Sequence, residues 1–141
     1  MIYIGIDTGT DTGLAVWDTR AQRLTDVRTL KIHQAMEMVL DIVEGVGGNA
    51  LVVFEDARQR KWIPAEGTLS KWKGRAMGAG SIKRYASIWE DFLLDKRIPF
   101  EKVPPRPGLT KWKADYFAHV TGYKGRTSDH GRDAALLVWG R

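Results

Sequence analysis

The residues MIYIGIDTGTDTG (1–13) decide how the chain folds. Ile2, Tyr3, Ile4 and Ile6 crowd around Gly5 and end at Asp7, the make-up of a buried strand. Thr8 to Gly13 reads as a turn, and Leu14, Ala15, Val16 and Trp17 begin a second strand. A carboxylate on the last residue of a central strand is held rigidly at one edge of a sheet. Glycines beside it let backbone and phosphate approach. An Asp that only caps the turn would leave the same trace.

Working outward, Asp18 to Arg23 reads as a hairpin connection into a third strand from about Leu24 to Leu30. The period then changes: Ala35, Met36, Val39, Leu40 and Val43 recur at helical steps until Gly45, Gly47, Gly48 and Asn49 stop them. Leu51 to Phe54 is a short apolar run that ends in Glu55 and Asp56. No period holds from Ala57 to Gly80. Ile82, Tyr85, Ala86, Trp89, Phe92 and Leu93 restore helical spacing, and Ile98 to Val103 predicts a strand halted by Pro104, Pro105 and Pro107. Thr110 to about Val120 and Asp129 to Trp139 predict two more helices. This order implies one α/β domain over residues 1–141, a mixed sheet covered by helices.

Composition narrows the function. The formal net charge is +5, from 22 Lys and Arg against 17 Asp and Glu, which points to a polyanionic partner. With no cysteine, disulfides, thiolate catalysis and Cys-ligated zinc are excluded together. The N-terminus lacks a basic region followed by a long apolar run. The longest apolar run, Ala134 to Trp139, falls far short of the roughly 20 residues of a bilayer span. An intracellular chain with no membrane partner is the expectation.

Acids gather in three places. Asp7 and the pair Glu55–Asp56 end two apolar strands, and neighbouring strands would set one of the pair beside Asp7. Alternation sends Glu55 and Asp56 to opposite faces, and Glu55, directly after the apolar run, is favoured. In Asp129-His130-Gly131-Arg132-Asp133, helical spacing puts His130 with Asp133, and Asp129 with Asp133, on shared faces. An N-cap role is favoured for Asp129. Acids from two strand ends and a helix start suit a hard cation, Mg²⁺ or Mn²⁺. Two such ions roughly 3.5–4 Å apart can activate a water and stabilise the leaving oxygen of a phosphodiester. His33 and His119 lack such company and read as surface or capping residues. The opening loop also fits sugar kinases and actin-like ATPases, but their two-lobed fold needs several hundred residues against 141 here, so no nucleotide cofactor is expected.

The segments GIDTGTDTG, VVFEDA, AGSIKRYASIWEDFL followed by FEKVPP, and SDHGRDAALL stand in the order seen in RuvC-type Holliday junction resolvases, which the chain resembles over most of its length. The resemblance implies an RNase H-like fold, a homodimer, and Mg²⁺-dependent cutting of four-way DNA junctions in a bacterium or phage-infected bacterium. Position by position, Asp7, Glu55 and Asp133 match the family's acids. His130 matches a fourth metal-site position, filled by an acid in some relatives and histidine in others. The helix of Ile82 to Leu93 resembles the family's dimer helix. The chain is short for the family, as in a compact phage or mobile-element relative. Selectivity for junctions over forks, flaps or hybrids stays open, as does a binding module without catalysis.

A basic stretch completes the reading. Arg58, Arg60, Lys61, Lys71, Lys73, Arg75, Lys83 and Arg84 face only Glu66 between Ala57 and Arg84, with Trp62 and Trp72 interleaved. Cations there neutralise phosphates, and exposed indoles stack on unpaired bases. Arg106 and Lys111 extend the set. The resemblance places a lysine beside the scissile phosphate, Lys111 or Lys113; Lys113 is assigned that role and Lys111 phosphate contact.

Overall fold

A computed structural model describes residues 1–59, 69–106 and 111–141, and of these the side chains of all but 69–79. Five strands form one sheet: β1 (Ile2–Asp7), β2 (Asp11–Asp18), β3 (Arg23–Lys31), β4 (Ala50–Glu55) and β5 (Phe100–Val103). The helices are α1 (Ile32–Gly45), α2 (Leu69–Asp95), α3 (Ala114–Thr121) and α4 (Asp129–Val138), with a 3-10 turn at Ala57–Gln59. The sheet order is β3-β2-β1-β4-β5. The first three strands form an antiparallel meander, while β4 and β5 run parallel to β1. This is the mixed α/β sheet that the order of periods implies.

Alternation along the central strands sorts side chains to two cores. Ile4 and Ile6 of β1, Leu14 and Val16 of β2, and Val52 and Phe54 of β4 meet Ala35 and Val39 of α1 and Ala86, Trp89 and Leu93 of α2. On the opposite face Ala15, Trp17 and Val53 meet Phe117 of α3 and Ala134, Ala135 and Val138 of α4. Strands buried on both faces explain why β1 and β4 read as continuous apolar runs. Among the described residues, no helix is long and apolar enough to cross a membrane.

Several boundaries differ from the sequence expectation. The turn after β1 is shorter than Thr8–Gly13: β2 starts at Asp11, so Gly13 is a strand residue paired opposite Asp7. Residues 69–80, which carry no apolar period, are helical and lengthen α2 to 27 residues. β5 starts at Phe100 instead of Ile98, and α3 at Ala114 instead of Thr110. The apolar residues of α2 divide. Ala86, Trp89 and Leu93 are core, whereas Ile82, Ile88 and Leu94 are exposed.

Candidate active site

Register and alternation bring two acids together. Ile6 pairs with Phe54 across the parallel β1–β4 ladder, so Asp7 and Glu55, one step on, close two neighbouring strands at the same end. Both lie on the α4 face, opposite the side taken by Ile6 and Phe54. Asp56 follows to the other face, where it is buried and receives Arg58 through Nε at 2.8 Å and Nη2 at 2.8 Å. Burial pushes the Asp56 carboxyl up, but the hydrogen bonds from Arg58 outweigh it and hold it below the ordinary aspartate value.

Glycine sets the third acid. A Cβ on Gly5 would lie 2.1 Å from the carbonyl oxygen of Ala134, and one on Gly13 only 1.9 Å from that of His130. The backbone of α4 therefore lies directly on β1 and β2, an approach that any side chain would block. Of the backbone and phosphate that the glycines around Asp7 are expected to admit, Gly5 and Gly13 admit backbone, that of this helix. Its first turn hangs over the strand ends, where His130 Nδ1 stands 2.9 Å from Asp7 Oδ2. Asp129 is the first helical residue, with Ser128 at the N-cap, so the capping role expected of Asp129 falls to its neighbour's position. The Asp129 carboxylate instead accepts from Arg132.

Asp7, Glu55 and Asp133 line one cavity of about 170 Å³ with Arg106, Lys111, Leu136 and Leu137. One water needs roughly 10–15 Å³, so the space has room for several. Lys111 Nζ stands 3.9 Å from Asp133 Oδ2. Burial raises the Asp7 carboxyl above its ordinary value against the hydrogen bond to His130, and the charge of Asp133 adds to the rise. Burial likewise raises Asp133, opposed by Lys111. Acids pushed up by burial and mutual repulsion favour a cation between them. The donors are those of a hard divalent ion, although among the described residues no three of them stand close enough to form a ready-made cluster.

The remaining candidates scatter. Lys111 lines the acid cavity, whereas Lys113, which precedes α3, does not; both line a neighbouring groove with Trp112, Asp115 and Tyr116. Arg106 lines the cavity too. Arg58 is bound on both sides, by Asp56 and by Glu90 of α2, and Glu90 also holds Lys102 at 3.0 Å. Lys83 is half-buried and Arg84 exposed on α2. Lys71, Trp72, Lys73 and Arg75 fall on α2 where side chains lie outside the described residues, as do Arg60, Lys61 and Trp62 entirely. Arg132 went unassigned in the sequence. An arginine next to a site acid, on the turn that carries the acid, was the signal for it.

No family model matches the chain, and no curated protein matches it. In structure it is similar to RuvC of Thermus thermophilus, at 18% identity over 97% of this chain and 90% of that one, with a TM-score of 0.56. The fold is thus the RuvC-like, RNase H-like α/β fold.

Proposed function

We propose that this chain is a metal-dependent DNA endonuclease of RuvC type that resolves four-way junctions by paired symmetric incisions. The observation that carries the reading is the single cavity where Asp7, Glu55 and Asp133 converge beside Lys111 and Arg106, at the open end of two parallel strands. The RuvC-like fold and the basic charge of +5 support it. Asp7, Glu55 and Asp133 would hold Mg²⁺ or Mn²⁺, two ions per site, with His130 at their edge. Bound there, such ions supply an activated water and charge stabilisation at the leaving oxygen.

The chain's own groups do the rest. Lys111 and Arg106 neutralise the scissile phosphate and stabilise the charge that grows on it. Asp7, when ionised, only accepts hydrogen bonds, so His130 Nδ1 carries the hydrogen between them and Nε2 is left to take a proton from the attacking water. In-line attack at phosphorus breaks the P–O3′ bond and leaves 5′-phosphate and 3′-hydroxyl ends. A four-way junction is close to two-fold symmetric, so paired cuts call for a homodimer.

The test is a mobile four-way junction incubated with and without Mg²⁺, beside Asp7→Asn, Lys111→Met and Lys113→Met. Paired symmetric nicks that need metal and disappear in Asp7→Asn are expected. Lys111→Met should lose ~10²-fold in rate and Lys113→Met only a few-fold. A parent protein that binds the junction yet cuts with neither Mg²⁺ nor Mn²⁺ would sink the enzyme reading and leave a binding module.

A further inference from the structure

Arg132 sits between His130 and Asp133 on α4, yet it is buried and faces away from the acid cavity. Its guanidinium is engaged along its length. Nε donates to the Trp112 carbonyl at 2.9 Å, Nη1 to the Thr127 carbonyl and Oγ1, each at 2.9 Å, and Nη2 to Asp129 Oδ1. The planar fork thereby joins the segment before α3, the residue leading into α4, and the first turn of α4 itself.

The first of those partners matters most. Residues 111–113 belong to no helix or strand. Among the described residues, the bond from Arg132 is the backbone hydrogen bond held by residues 111 and 112. The Trp112 indole packs edge-on against Tyr116 and Trp139, with ring centres 4.8 and 6.2 Å away, which keeps the residue docked. The guanidinium fixes the direction of its carbonyl, and with it the backbone from which Lys111 reaches Asp133.

We infer that Arg132 is a positioning residue, the clamp that holds Lys111 in the acid cavity, and this rests on the nuclease reading above. Lysine cannot replace it, because three N–H groups on one nitrogen do not reach acceptors on three separated pieces of chain. Removing the clamp leaves the acids in place and lets the lysine drift from the phosphate.

The test is a double-mutant cycle of Arg132→Lys and Lys111→Met in metal-dependent junction cleavage. Arg132→Lys should lower kcat ~10–100-fold with little change in KM, as a displaced catalytic group does. In the Lys111→Met background the same substitution should change kcat less than about two-fold, since the group it positions is gone. Equal losses in both backgrounds would show a structural role only and overturn the proposal. Hydrogen exchange of the metal-free protein needs no activity: Arg132→Lys should speed exchange in peptides covering residues 111–117 and leave residues 2–7 and 50–55 unchanged. Unchanged exchange at 111–117 would also overturn it. A parent protein that cuts nothing defeats the nuclease reading separately, and exchange then decides whether the clamp exists. Should Arg132→Lys fail to fold, Thr127→Val with Asp129→Ala strips two side-chain acceptors from the fork and is held to the same two outcomes.

Discussion

Gly13 gives the sharpest test of how the acids are assembled. A Cβ there would stand 1.9 Å from the His130 carbonyl oxygen and 3.0 Å from the Asp7 Cβ, where real Cβ atoms essentially never approach below 3.0 Å. In Gly13→Ala the first turn of α4 must retreat from β2 by a little over 1 Å. The struck atom is backbone, so no rotamer relieves the clash. The loss is of the overpacking kind, ~1–3 kcal/mol. With an unfolding entropy of ~2.1 cal/mol/K per residue over 141 residues, Tm falls by roughly 3–10 °C. Activity suffers more, because the same retreat carries His130 and Asp133 away from Asp7 and Glu55, and a misplacement of ~1 Å can cost ~10²-fold in rate. Thermal unfolding followed by circular dichroism gives the first quantity. Junction cleavage, at a temperature where parent and variant are both folded, gives the second. A variant that melts within about 1 °C of the parent and cuts at a similar rate would refute the reasoning that contact at Gly13 sets the site.

Two more outcomes follow from the charges. Asp7 has its carboxyl raised by burial, against the His130 hydrogen bond and with Asp133 adding, so the folded chain binds that proton more tightly than the unfolded chain does. Stability from this group is therefore lost as pH climbs through the ordinary aspartate value toward the raised one, and the loss is complete above it. In EDTA, Asp7→Asn should melt above the parent at pH 7 and level with it below about pH 3; melting below the parent at neutral pH would reverse the sign of the argument. Arg58→Met should destabilise by about 3 kcal/mol in urea unfolding, because it strands the buried Asp56 carboxylate, and should leave junction affinity almost unchanged. Weakened binding at intact stability would place Arg58 on the DNA surface after all.

What was legible in the sequence is what a period or a strand end displays. β1 and β4 announce themselves as apolar runs closed by acids, and the step of two residues separates Glu55 from Asp56 before any coordinates exist. The structure adds why that step matters: Asp56 is spent on Arg58 across the sheet, while Glu55 lines the cavity. The first turns of α2 were not legible, because residues 69–80 lack the apolar stripe by which a helix shows itself. Lys111 and Lys113 could not be told apart for a related reason. The helix expected from Thr110 starts at Ala114, and in the stretch before it both lysines line one groove with Trp112 and Tyr116, while of the two Lys111 also lines the acid cavity.

The residues that build the site are thus of two kinds, and only one kind carries a chemical signature. Asp7, Glu55, His130 and Asp133 have side chains whose chemistry suggests their use. Gly5 and Gly13 act by what they lack, and their effect exists only once α4 lies across them. Arg132 looks in sequence like one more cation in a basic chain, but its charge faces a carboxylate and its fork is filled by two carbonyls and a hydroxyl, leaving it nothing for a phosphate. Basic charge counted along the chain therefore includes cations already paired inside the fold. Arg58 and Arg132 both have their charge paired to carboxylates within the fold, and among the described cations near the acids Arg106 and Lys111 line the cavity.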